Sequence, residues 1–472
     1  MKIMILTIFN TKKTFVAAGI ILMLSSCQKF LDIKKSSSQS LIETSNDCQL
    51  ILDNYSVMNL NYPSDGEVSA DDYYLTSQSY QATNMTIADQ DLYIWAPKAI
   101  RLLASPQWTP GYFGIYYSNL VLETVAKLRG KDNDAVLNDL KGQALFFRAY
   151  RHWCLAQVYS KQYVSSTASQ DLGIPLRLTS DISVKSVRST NEQVYNQITN
   201  DLKEATDLLN ETSPIQSRPN KLCGYALLAR IYNSMQEYAK ALDYADIALN
   251  LNSELIDYNS VNKNSFTPFP RFNKEVIFQS VLAQNASLEP GSATNNRAKI
   301  DPLLLAQYEA SDLRRDIFFK QNAGLDLGTY RFTGNYEPVT NSSLFNGLAV
   351  DELYLIRAEC FARKGNIESS MNDLNALLIK RYKSGQFVTR TAANAEEALI
   401  TVLKERRKEL LMRGLRWADL KRLNLDSRFA KTLSRTVNGN AYSLLANDLS
   451  YTLLIPDEVI VNAKGSIVQN QR

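Results

Sequence analysis

Histidine is almost missing from this chain: His152 is the single one among 472 residues. That scarcity excludes most hydrolytic sites that use imidazole as base, and most histidine-rich metal sites. His152 lies between Arg151 and Trp153 in a helical stretch, so a packed or surface histidine is expected there. The chain also lacks a Gly-x-Ser-x-Gly elbow and a Gly-x-x-x-x-Gly-Lys-[Ser/Thr] phosphate loop. Cysteines are few and scattered, with no Cys-x-x-Cys and no zinc-type spacing. A core of this size makes disulfides unnecessary. Cys154, Cys223 and Cys360 lie among apolar residues and read as small buried hydrophobes, while Cys48 stands apart. An excess of either charge is absent too. Of 52 Lys and Arg, three fall in the first 26 residues, leaving 49 against 48 acids and a net +1. Such a surface argues against nucleic acid, and no basic run marks a polybasic membrane patch. Carboxylate-pair chemistry stays open, because 48 acids allow many pairings and nothing marks one out.

No apolar run is long enough to cross a bilayer, but a shorter one opens the chain. Lys2, Lys12 and Lys13 precede the apolar stretch from Phe15 to Leu24. Leu24-Ser25-Ser26-Cys27 then resembles the bacterial lipobox, where the peptide is cut before the cysteine and its thiol is acylated. The alternative is an ordinary signal peptide with an incidental cysteine. Several acyl chains together anchor firmly where one gives marginal binding. The expectation is a signal peptide over 1–26, a lipid-bearing tether over 27–40 and a single domain over 41–472. Gln28 and Lys29 precede a lone Asp32, which leaves the membrane face undecided.

Helical patterns run from Leu41 to about Met58, from Tyr112 to Leu128 and from Asn133 to Ser160. Two further segments read as helix–turn–helix units. In the first, Leu227, Ile231 and Met235 are followed after Gln236-Glu237 by Tyr238, Leu242, Ala245 and Leu249. Ala229, Ala241 and Ala248 would let the two helices approach closely, a combination that resembles a tetratricopeptide repeat. The second unit has Leu353, Ile356 and Cys360, a stop at Gly365, then Ile367, Met371, Leu374 and Leu378. Ala229 and Ala358 are 129 positions apart, so the units are not tandem. Residues 60–110 and 252–346 break the helical rhythm with aromatic, Pro- and Gly-punctuated stretches such as Phe266 to Phe272 and Tyr330 to Tyr336. The predicted fold is all-α: helical hairpins stacked as a scaffold, carrying two long irregular insertions of the kind that usually hold function.

Four motifs in order resemble those of the SusD/RagB family of outer-membrane lipoproteins. Lys141 to Tyr150 is similar to its G-E-A-x-F-x-R-A-Y helix, followed by the turn Gly173-Ile174-Pro175. Asp351 to Gly365 is similar to its E-x-Y-L-I-R-A-E-x-x-A-R-x-G helix. Glu405 to Leu410 with Gly414 to Arg422 matches its E-R-R-x-E-L…G-x-R-x-x-D-L-K-R pattern, and Leu454-Ile455-Pro456, Glu458 and Gln469-Asn470 its closing element. Ala463 and the ending Gln471-Arg472 depart from that closing element. The resemblance implies four repeat-type hairpins and a nutrient-binding, non-catalytic protein. It also implies a SusC-type TonB-dependent transporter as partner, with this chain as extracellular lid. No cofactor or metal is implied.

The charged helix reads on its own terms as an ion-pairing element. Glu405 and Glu409, Arg406 and Arg413, and Arg416 and Asp419 can share helix faces. An acid/base role for Glu405, Glu409 and Asp419 is the weaker reading. Ligand candidates are mixed aromatic and polar residues of the two insertions, since a sugar offers a C–H face to a ring and hydroxyls to Asp or Asn. They are Asp71, Asp72, Tyr73, Tyr74, Tyr93, Trp95, Tyr330, Asn335 and Tyr336, with binding expected beside Trp95 and Tyr330. An oligosaccharide is the expected ligand. A peptide ligand, a two-carboxylate glycoside hydrolase and a scaffold for other proteins are the competing readings.

Overall fold

Apolar residues at three- and four-residue spacing fold as helices throughout the computed structural model, which describes residues 42–103 and 105–472. Cys27, the expected signal peptide over 1–26 and the expected tether over 27–40 lie outside the described residues. From Thr44 to Arg472 the chain forms one unit. Ten described helices have eight residues or more: α1 (Ser45–Leu52), α2 (Thr109–Leu128), α3 (Asp134–Tyr159), α4 (Asn191–Leu208), α5 (Lys221–Ser234), α6 (Tyr238–Leu251), α7 (Val350–Arg363), α8 (Ile367–Leu378), α9 (Ala395–Glu409) and α10 (Arg416–Leu423). Six of them start at side-chain caps that satisfy orphan backbone N–H groups. Thr44 and Thr190 form capping boxes with Asp47 and Gln193, and Asn133, Asn220, Asn366 and Asn394 cap α3, α5, α8 and α9. Gly365 ends α7 at φ +83°, the stop expected from the sequence.

The helices pack largely in chain order, α2 on α3, α3 on α4, α4 on α5, α5 on α6, and α7 on both α8 and α9. The two repeat-like units, distant in sequence, are neighbours in space because α6 packs directly on α7. Arg357 of α7 spans the join, donating to Asp246 of α6 and to Asp373 of α8 at 2.7 Å each. Ala229, Ala241, Ala245, Ala248 and Ala358 are fully buried, the small residues that close approach requires. Gly224 of α5 is tighter still: a Cβ there would overlap the Thr206 hydroxyl of α4.

The helix expected from Leu41 to Met58 breaks at Asp53-Asn54 into α1 and a short turn over Tyr55–Met58. Within 60–110 the chain is less irregular than expected, with short helices at Asp65–Ser69, Ser77–Tyr80 and Ile87–Tyr93. Strands are brief: β1 (Tyr73–Tyr74), β2 (Leu172–Pro175), β3 (Arg188–Thr190), β4 (Val276–Phe278), β5 (Lys299–Ile300), β6 (Phe319–Gln321), β7 (Tyr330–Phe332), β8 (Leu348–Ala349), β9 (Leu433–Val437) and β10 (Asn440–Leu444). They form five antiparallel pairs. Two matter for the site. β1 pairs β5 with Tyr73 opposite Ile300, joining the two insertions, and β6 pairs β7 with Gln321 opposite Tyr330.

The charged helix is buried, not solvated. Arg314 and Arg381, both fully buried, clamp Glu409 from its two oxygens, and Arg314 also takes Asp312 and Glu405. Arg381 reaches on to Glu275 at 2.8 Å. The ion-pair reading of Glu405, Glu409 and Asp419 therefore holds, with one change of partner. Arg416 does not pair Asp419; it takes Asp71 at 2.6 Å, and Asp419 goes to Arg406 and Arg422 at 2.8 Å each. Lys421 is buried without an acid and donates to the carbonyls of Gln157 and Ser160 where α3 ends, at 2.9 and 2.6 Å. His152 is likewise buried, and desolvation followed by nearby Arg148 pushes its pKa down to about 3. Cys48, Cys154, Cys223 and Cys360 are free thiols in the core.

Candidate functional site

The second insertion folds into an open cleft of about 620 Å³. One wall is the loop from Glu289 to Arg297, and another is the end of β7 with Thr333 and Asn335. The segment from Val339 to Leu344, Phe266 and Asn84 complete the lining. The loop turns where it does because Gly291 sits at φ +51°, and a Cβ there would overlap the carbonyl oxygen of Asn295. Glu289 fastens two walls together, since its carboxylate accepts the N–H groups of Gly291 at 3.2 Å and Ser342 at 3.3 Å. It is the one carboxylate among the described residues lining the cleft. The Phe266 ring is 55% exposed, and the Arg331 guanidinium lies 5.2 Å from its centroid. Asn295 and Asn341 also line the cleft, the Asn341 amide oxygen accepting the N–H of Ser343 at 2.9 Å. A ring beside amide donors and acceptors can hold a sugar by its C–H face and its hydroxyls.

Of the sequence-predicted residues, Asn335 lines this cleft, but its amide is committed. It accepts the N–H of Phe345 at 2.9 Å and donates to the Ser343 carbonyl at 2.9 Å. Tyr330 is half-buried and heads the strand whose next residue, Arg331, enters the cleft. Tyr336 is buried, with its hydroxyl donating to Glu275 at 2.5 Å and the Arg413 guanidinium 4.1 Å over its ring.

The first insertion's candidates lie elsewhere. Asp71 accepts from Arg416 at 2.6 Å and Lys431 at 2.7 Å, and Asp72 from Arg407 at 2.9 Å. Burial pushes the Asp71 carboxyl up, but Arg416 and Arg407 outweigh it and hold the group well below the usual carboxylate range. For Asp72 burial dominates and raises it, despite Arg407. Both acids tie their insertion to the charged helix. Tyr73, Tyr93 and Trp95 are buried around Arg435 of β9, whose guanidinium stands 5.5, 3.8 and 4.6 Å from the three rings. Trp95 also donates its indole N–H to the Ser69 carbonyl at 3.0 Å. The expectation of a ligand beside Trp95 is corrected accordingly: a ring 5% exposed, stacked on a cation, has no open face. Tyr74 alone of these aromatics keeps a half-exposed side.

Phe266, Arg331, Arg297, Asn295 and Asn341 are not among the sequence candidates, although Phe266 and Arg331 sit in the two aromatic stretches expected as loops or short strands. Their place on the cleft wall separates them from their neighbours, and composition does not carry it. A second cleft of about 710 Å³, reaching Ile87, Leu102 and Gln284, shares Asn84 with the first. Among the described residues no group of three His, Cys, Asp or Glu could hold a metal ion, and no helix is long and apolar enough to cross a membrane.

A stacked all-helical scaffold with an irregular face bearing an open cleft defines a class of binding protein. A family profile described as "starch-binding associating with outer membrane" matches residues 29–233, and the SusD family profile matches residues 351–456. The chain belongs to the SusD/RagB family. Its fold is shared with a SusD superfamily protein from Bacteroides thetaiotaomicron, at 23% identity and TM-score 0.72, over 91% of this chain and all of that one. A SusD superfamily protein from Bacteroides vulgatus matches at 22% identity and TM-score 0.72, over 91% of this chain and 99% of that one. Surface glycan-binding protein A from Bacteroides fluxus matches at 17% identity and TM-score 0.69, with the same coverages. No curated protein matches the sequence.

Proposed function

We propose that the protein captures an oligosaccharide in the cleft of the second insertion and delivers it to a SusC-type TonB-dependent transporter as its extracellular lid. The observation that carries the reading is the half-exposed Phe266 ring set among Asn295, Asn341 and Arg331 in an open cleft. The family of outer-membrane-associated binders supports it, as does the name of the Bacteroides fluxus relative. Binding is favoured over hydrolysis because glycosidases need two carboxylates flanking the bond, and this lining offers Glu289, already held by two backbone N–H groups. Attachment rests on Leu24-Ser25-Ser26-Cys27, and Cys27→Ala is expected to release the protein from membranes of its native host.

Calorimetry of the purified protein against oligosaccharide and peptide panels tests the ligand. An oligosaccharide that binds wild type and is weakened by Phe266→Ala supports the reading. Binding of peptides alone, or glycan cleavage that survives repurification, overturns it.

A further inference from the structure

Most buried arginines among the described residues are committed to carboxylates or to several carbonyls, and Arg331 is the least committed of them. Arg101, Arg148, Arg230, Arg314, Arg381, Arg413 and Arg422 each hold a carboxylate within 3 Å. Two more lack an acid and donate to several backbone carbonyls instead. Arg151 donates to the carbonyls of Val57, Met58, Leu60 and Asn61, and Arg435 to those of Val68, Ala70 and Tyr93. Arg331 is different. It is 3% exposed and has no carboxylate partner, and its donated bonds run from Nη1 alone, to the Gln321 carbonyl at 2.9 Å and Asn322 Oδ1 at 3.2 Å. Its Nε and Nη2 donate to no group among the described residues, yet the residue lines the cleft. Arg297 lines the same cleft, also without an acid, with one long bond to the Ala286 carbonyl at 3.3 Å.

A desolvated guanidinium with an open edge is costly to keep and binds an anion well, because its planar fork matches a carboxylate or sulfate in two parallel bonds. The lining carries two guanidinium groups against the single carboxylate of Glu289, which its two N–H donors already engage. We propose that the cleft selects an anionic oligosaccharide, bearing a uronate carboxylate or a sulfate ester, with Arg331 and Arg297 as the specificity-determining residues and Phe266 as the stacking ring. The inference rests on the cleft being the glycan site.

The experiment is calorimetry of the mature chain with three arms: uronate-containing, sulfated and neutral oligosaccharides. Binding of an acidic arm is expected, weakened roughly tenfold or more by Arg331→Gln and by Arg297→Gln, the scale of a lost charge-assisted bond. The two acidic arms separate carboxylate from sulfate. Two measurements on wild type stand even if Arg331→Gln misfolds. Affinity is expected to fall as salt rises from about 50 to about 500 mM, and carboxyl reduction or desulfation of the bound glycan to abolish binding. Tight binding of a neutral glycan that Phe266→Ala weakens and Arg331→Gln leaves unchanged overturns the anionic inference while the glycan reading stands. Binding of acidic peptides with no glycan bound overturns both. Failure of both acidic arms overturns the inference.

Discussion

Arg381 donates from Nε to Oε1 of Glu409 at 2.7 Å, and neither side chain touches solvent. Glu409 takes Arg314 on its other oxygen at 2.9 Å. Removing Glu409 leaves Arg314 on Asp312 and Glu405 and Arg381 on Glu275, but takes one negative charge and its two charge-assisted bonds out of a core that holds both guanidinium groups. Glu409→Ala is expected to destabilise the fold by about 3–5 kcal/mol in urea unfolding. By contrast Arg129→Ala, which breaks a half-exposed pair with Asp134, is expected to change stability by less than ~1 kcal/mol. Equal effects would show that the buried lattice adds nothing to stability.

A lone histidine gives a lone imidazole signal. With its pKa near 3, His152 of the untagged protein is expected to stay neutral, its ring proton shifts flat between about pH 5 and about pH 8. A midpoint near the ordinary value, read by NMR, would place the ring in water.

Lys421 contributes one part of the pH dependence near neutrality, which comparison with its own variant isolates from buried Glu67 and Asp351. Burial depresses its pKa from 10.5 to about 7, so the folded state sheds a proton that the unfolded state keeps. The depressed pKa gives a contribution present above the unfolded value and lost as pH falls toward 7. Wild type is therefore expected to gain stability over Lys421→Met as pH rises from 7 toward 10. Parallel stability curves for the two proteins would contradict this.

Arg435 holds β9 and β10 to the first insertion through three rings and three carbonyls. Arg435→Ala is expected to cost about 2–4 kcal/mol, with a change in tryptophan emission as Trp95 loosens. Arg435→Lys keeps the charge but not the fork, and is expected to recover only part of that loss.

How legible was this in the sequence? Leu227, Ile231, Leu353 and Ile356 announced their helices by spacing, because burial of one face is written in periodicity. Gly365 marked a stop for the same kind of local reason. The amphipathic α4 escaped, although Thr190 and Gln193 spell its capping box. The site was harder. Tyr93 and Trp95 look like glycan platforms by composition, and only Arg435, more than 300 residues on, decides that they face inward. Arg416 and Asp419 sit at pairing distance along one helix, yet each finds a better partner elsewhere. Long-range pairing of charges leaves no local signature.

The seam between α6 and α7 closes everything from Asn252 to Ala349 into a loop on a finished scaffold. Lengthening such a loop is thermodynamically mild, since each doubling costs only about 0.6 kcal/mol of closure entropy. Glu275, Asp312 and Arg314 are the fixed stations within it, moored to Arg381, Glu405 and Glu409. Between those moorings, changes of length or sequence that reshape the cleft wall are expected to leave every helix in place.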